Sequence, residues 1–271
     1  MINARTIALA LPAVLAFLPA MVAAQDLPAN LVAAEIRGGW RTESGTQMAA
    51  LHLTLAPGWK TYWRAPGEAG IPPQFDWSGS SNIAGAAIHW PVPELFELNG
   101  LRFAGYRDEL VLPIEFRPAA PGQPMAVAAR IDLGVCETVC VPVSLDVAAD
   151  LDPAGASDPM IRAALARQPE PAAAVGLSRA RCSVEPIRDG LRLTSELTMP
   201  RIGPEEFAVV ELADRSIWVS QAETVRDGGE LVAVADLVPS TAAPFAFDRS
   251  SVQITVFGGS GRAVDLQGCT G

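Results

Sequence analysis

The sequence predicts an all-β protein made of two tandem immunoglobulin-like β-sandwich domains. Three observations carry that expectation. Apolar and polar residues alternate at a period of two through much of the chain, the pattern of strands with one buried face. Glycine and proline punctuate these runs at short intervals, as in antiparallel sandwiches. A Pro/Ala/Gly-rich stretch at 150–180 then divides the strand-like text into two parts, each near the size of one sandwich.

The chain opens MINARTIALALPAVLAFLPAMVAAQ. Arg5 precedes an apolar run, and Val22-Ala23-Ala24 supplies a small-residue cleavage pattern. Residues 1–24 are therefore expected to be a secretory signal peptide, with Gln25 the mature start. The run is short and proline-interrupted, so a retained anchor is the weaker reading. No later stretch is apolar for long enough to span a bilayer. Export would place the chain where disulfides survive. A net charge of −10 argues against nucleic acid and anionic membranes as partners.

The first sandwich is expected over 25–150. Leu51, Leu53 and Leu55 alternate with His52 and Thr54, and Leu110, Leu112, Ile114 and Phe116 repeat the pattern. A linker is expected over 151–178. Within it, Ser157 or Asp158 followed by Pro159 reads as an N-cap and first helical residue, and a short helix over 160–168 stops before Pro169. The second sandwich is expected over 179–271, where Leu191, Leu193, Leu197 and Met199 alternate, as do Val252, Ile254 and Val256.

Four cysteines allow three pairings. On one straight strand Cys136 and Cys140 would lie roughly 13 Å apart, whereas a disulfide needs Cα atoms within about 7 Å. The chain must turn between them, most simply as a hairpin tipped by Glu137-Thr138-Val139. Val127, Ala129, Ile131, Leu133 and Val135 share one parity upstream, and Val141, Val143, Leu145 and Val147 share one downstream; both cysteines fall on the opposite, polar parity. That places both sulfurs on one face, away from the core, unless a bulge near Gly134 intervenes. An accessible pair can exchange with thiols, staple the turn or hold a metal. Cys182 and Cys269 bracket the second sandwich. Joining them closes a loop of roughly 90 residues and restricts the unfolded chain by roughly 4–5 kcal/mol, which reads as a structural bridge.

The segments PGWKTYWRAPGEAGIPPQFDW (57–77), HWPVPELFELNGLRFAGYRDELVLP (89–113) and VCETVCVP (135–142) resemble the N-terminal periplasmic domain of the DsbD family, most closely its ScsB-type branch. The ordered Gly-Trp, Tyr-Trp, Pro-Gly, Gly-x-Pro-Pro, Trp-Pro and Gly-Tyr elements make the likeness specific, over roughly residues 30–150. The resemblance implies a thiol:disulfide oxidoreductase with no cofactor beyond its cysteines. Such a domain takes electrons from a thioredoxin-like or DsbD/ScsB-like membrane donor and passes them to thioredoxin-like periplasmic oxidoreductases. It gives Cys140 the role of forming mixed disulfides and Cys136 that of resolving them. The family shields its pair with an aromatic cap; here Phe96 is the candidate and Leu98 its competitor within 94–99, and Tyr106 of the Gly-Tyr element is a supporting residue.

Three departures qualify the match. Three residues separate the cysteines where the DsbD branch usually has five. Lys60 stands where histidine is common. The chain stops at Gly271 with neither a transmembrane region nor a thioredoxin-like domain, which leads us to expect a free-standing shuttle that meets a separate membrane donor. Trp59, Tyr62, Trp63, Trp77 and Trp90 read as core packing and loop bracing rather than a ligand platform. His52 and His89 read as structural. Two other functions compete: a Cu(I)-handling module linked to copper tolerance, with Cys136 and Cys140 as soft ligands, and an assembly module with two inert disulfides.

Overall fold

A computed structural model describes residues 28, 30–67, 70–98, 101–241 and 245–270, without the side chains of Leu98 and Leu101. The expected signal peptide, 1–24, lies outside the described residues. The fold is all-β, with two sandwich-like domains.

The first sandwich contains β1 (Val32–Arg41), β2 (Gln47–Leu55), β3 (Lys60–Tyr62), β4 (Gln74–Asp76), β5 (Ile83–Ile88), β6 (Glu94–Leu98), β7 (Leu101–Arg107), β8 (Glu109–Pro118), β9 (Met125–Cys136) and β10 (Cys140–Leu151). One sheet has the order β1-β2-β8-β5 and the other β10-β9-β3-β7-β6, with β4 also paired to β9. The alternation read from the sequence becomes the core. Leu51 lies opposite Leu112 and Leu53 opposite Leu110. These residues, with Ile114 and Phe116, pack against Val127, Ile131, Leu133 and Val135 of the facing sheet. Each such side chain contributes about 1.5–3 kcal/mol by leaving water.

A helix, α1 (Pro159–Leu165), follows β10. Asp158 caps it, accepting from the Met160 and Ile161 N–H groups at 2.7 and 3.1 Å, and Pro159 loses no bond at the first helical position. The helix ends at Leu165, short of the expected 168. Here the backbone turns to the first sandwich: Arg167 C=O accepts from Val92 N–H at 2.7 Å. Ile161 packs on Met48 and Ala50, so the helix covers the outer face of the β1-β2-β8 sheet rather than spanning freely between domains.

The second sandwich contains β11 (Glu170–Pro171), β12 (Arg179–Ile187), β13 (Gly190–Thr198), β14 (Phe207–Leu212), β15 (Ile217–Val219), β16 (Glu223–Asp227), β17 (Glu230–Pro239), β18 (Val252–Gly259) and β19 (Arg262–Gln267). Its sheets run β11-β19-β18-β14 and β12-β13-β17-β15, with β16 also on β17. Thus β11, within the stretch read as linker, already pairs with β19. Cys182 is bonded to Cys269, with Cα atoms 5.6 Å apart and Cys182 fully buried.

The β11-β19-β18-β14 sheet is covered on both faces. Val210, Ile254, Val256 and Val264 fill its own sandwich. On the opposite parity, Phe207, Phe257 and Ala263 join the core of the first sandwich. The two domains therefore share a continuous apolar contact.

Candidate redox site

Strands β9 and β10 pair without a register shift from Met125–Leu151 to Cys136–Cys140, so Gly134 introduces no bulge. The two cysteines face each other directly, disulfide-bonded, with Cα atoms 4.2 Å apart. The three-residue turn is closed by Glu137 N–H donating to Val139 C=O at 3.2 Å, and Val139 is 44% exposed at its tip.

Strand parity puts both sulfurs on the outward face, but that face is not bare. Cys140 is exposed, whereas Cys136 is only 8% exposed. Cys136 is flanked by β10 on one side and by Lys60 of β3 on the other, and Tyr62, at the end of β3, reaches both sulfurs. Its hydroxyl lies 3.0 Å from Cys136 Sγ and 3.1 Å from Cys140 Sγ. A disulfide carries no S–H, so the phenol is the donor. Burial pushes the Tyr62 phenol up from its ordinary value, which keeps that proton in place at neutral pH.

Two glycines make room for the ring. A Cβ at Gly134 would lie 3.0 Å from Tyr62 Cε2 and 2.8 Å from Ile71 Cβ, and one at Gly70 would lie 3.1 Å from Tyr62 Cδ1. Thr61, between Lys60 and Tyr62, turns the other way and donates to Gly134 C=O at 3.0 Å, which locks β3 onto β9. Tyr62 is the functional residue that sequence reasoning missed. The usable signal was the Lys60-Thr61-Tyr62 alternation, which puts Lys60 and Tyr62 on one face.

Lys60 lies directly opposite Cys136 on β9 and opposite Arg107 on β7. Both cations rest on Phe96: Lys60 Nζ is 5.5 Å and Arg107 Cζ 5.0 Å from its ring centre. Phe96, the expected cap, thus carries two cations, one of them on the residue paired with Cys136, while a tyrosine hydroxyl meets the sulfurs. Phe103, opposite Phe96 on β7, leans against Tyr62 at 6.2 Å. The side chain of Leu98, the competing cap, lies outside the described residues. Tyr106 faces the core, where its hydroxyl donates to Pro91 C=O at 2.7 Å, and burial raises its phenol well above the ordinary value. It braces the chain entering β6 instead of the sulfurs.

The site therefore offers an exposed cysteine, a buried cysteine and a phenol hydroxyl that reaches both sulfurs, with Lys60 paired opposite Cys136. That arrangement suits thiol–disulfide exchange, in which an accessible sulfur is attacked and the other leaves as thiolate. Among the described residues, no cluster of three or more His, Cys, Asp or Glu side chains is placed to hold a metal.

Residues 29–151 match the family model for the N-terminal domain of the thiol:disulfide interchange protein DsbD. This segment is a DsbD N-terminal-type domain. It is a thiol–disulfide exchange module, and its cysteine hairpin falls within the match. The crystal structure of the N-terminal periplasmic domain of ScsB from Proteus mirabilis shares the fold, with a TM-score of 0.59 and 22% identity over 89% of this chain and 92% of that one. The likeness extends beyond the DsbD-type domain into the second sandwich. No curated protein sequence matches the chain. Among the described residues no helix is long and apolar enough to cross a membrane.

Proposed function

We propose that this chain is a periplasmic carrier of reducing equivalents, reduced by a membrane-bound or thioredoxin-like donor and oxidised by periplasmic disulfide oxidoreductases. The observation that carries the reading is the asymmetry of the pair, Cys140 exposed and Cys136 buried, with the Tyr62 hydroxyl within reach of both sulfurs. A donor thiolate attacks Cys140 Sγ in line. A new S–S bond forms as the Cys136–Cys140 bond breaks, and the electron pair leaves on Cys136 Sγ, where the Tyr62 hydroxyl donates to it. The donor's second thiolate then attacks its own bonded sulfur and releases Cys140 as thiolate. The reverse sequence delivers both electrons to an acceptor disulfide, with Cys140 attacking and Cys136 resolving. The leader expected at 1–24 and the periplasmic origin of the ScsB domain support the compartment.

Cys136→Ser should leave Cys140 free to trap a thioredoxin-like partner as a stable mixed disulfide, while Cys140→Ser traps little. Non-reducing electrophoresis with mass spectrometry of periplasmic extracts reads the result. Preferential trapping through Cys136 would reverse the assignment, and trapping by neither variant would contradict the carrier reading.

A further inference from the structure

Three consecutive residues, Tyr62, Trp63 and Arg64, connect the sulfurs to the second sandwich. Arg64 crosses the domain boundary. Its guanidinium bonds Glu211 Oε2 at 2.9 Å, Thr255 Oγ1 at 3.1 Å and Asp265 Oδ2 at 3.3 Å. These acceptors sit on three adjacent strands, β14, β18 and β19, and Thr255 is itself bonded to Asp265. The Arg64 side chain is 12% exposed and that of Glu211 4%. A planar fork held by acceptors from three strands has little freedom to move.

Trp63 completes the clamp. It is fully buried, meets Phe257 edge-on at 5.3 Å, and carries the Arg64 guanidinium 4.3 Å above its ring. The Trp63 backbone N–H donates to Ala104 C=O at 3.0 Å, and Ala104 N–H donates to Pro66 C=O at 3.1 Å, tying the backbone to β7 on both sides of Arg64. Gly70 lies against the Tyr62 ring. The chain before and after Tyr62 is therefore fixed, in part by a different domain.

We infer that Arg64 is a positioning residue of the redox site: held by Glu211, Thr255 and Asp265 of the second sandwich, it keeps the Tyr62 hydroxyl on the Cys136–Cys140 sulfurs. The second sandwich then sets the reactivity of the first. The inference rests on the thiol–disulfide reading of the pair.

The test is the rate constant for reduction of Cys136–Cys140 by dithiothreitol, in the full chain at one pH. Tyr62→Phe should slow reduction about tenfold, the cost of losing a donor to the leaving thiolate. Arg64→Met should slow it by a similar factor, and the double variant should be no slower than Tyr62→Phe alone, because both changes remove the same contact. Asp265→Asn, a milder change that covers a failure of Arg64→Met to fold, should fall between wild type and Arg64→Met. Wild-type rates in both clamp variants would overturn the inference. So would a wild-type rate for Tyr62→Phe, or a multiplied loss of about a hundredfold in the double variant. Those outcomes leave the carrier reading standing; resistance of the wild-type pair to dithiothreitol would remove both.

Discussion

Gly134 shows how tightly the chemistry is set at single positions. It is a glycine in the interior of a strand, where the absent side chain normally costs stability. Its Cβ would fall 2.8 Å from Ile71 and 3.0 Å from the Tyr62 ring, so the position keeps the space that Tyr62 needs. Gly134→Ala should destabilise the protein by about 1–3 kcal/mol through overpacking, measured by urea unfolding. It should also speed alkylation of reduced Cys136 as the ring is pushed off the sulfur. Unchanged stability and alkylation would mean that Tyr62 has another resting place. Tyr62 itself was not legible as a site residue, because an aromatic beside Trp63 and close to Gly and Pro reads as a core packer. Only the pairing of β3 with β9 brings its hydroxyl to sulfurs 74 and 78 residues away.

Strands and hairpins were far more legible. Period-two alternation located the β9–β10 ribbon, its three-residue turn and the outward parity of both cysteines, since each follows from strand geometry alone. What parity cannot give is the cover over an outward face, which is why Cys136 is buried despite its polar-side position. The helix start was readable from Asp158 and Pro159, but its docking on Met48 and Ala50 was not, for those residues read as an ordinary strand. In the second sandwich, β16 is held against the 199–206 loop by Arg226, which bonds Glu206 through two nitrogens at 2.6 and 2.7 Å and donates to Met199 C=O at 2.8 Å. Burial alone would raise the Glu206 carboxyl, but Arg226 and the Ile202 N–H outweigh it and hold it below its ordinary value. A depressed carboxyl stabilises the fold fully above its unfolded value, about pH 4.3, and loses that contribution as pH falls through the folded value. Unfolding midpoints should therefore decline in acid, with a smaller slope in Glu206→Gln; an identical slope in both proteins would remove Glu206 as a cause.

At the scale of the whole molecule, the two sandwiches are joined by apolar packing, because Phe207, Phe257 and Ala263 belong to the first core. None of this was visible in the sequence. Arg64 and its acceptors lie 147 to 201 residues apart, and Glu211, Thr255 and Asp265 look like the solvent parity of ordinary strands. Glu211→Leu leaves a largely buried guanidinium without its nearest partner, so it should cost about 3 kcal/mol. Urea unfolding followed by fluorescence should remain a single transition. Two separate transitions in the wild-type protein would show that the domains are held independently. The central claim, that Cys136–Cys140 is the exchanging pair and Cys182–Cys269 a staple, is tested most directly by differential alkylation after brief exposure of the folded protein to dithiothreitol. Label should appear on Cys136 and Cys140 while Cys182, fully buried, and Cys269 stay bonded. Equal resistance of both bonds, or earlier label on Cys182 and Cys269, would contradict it.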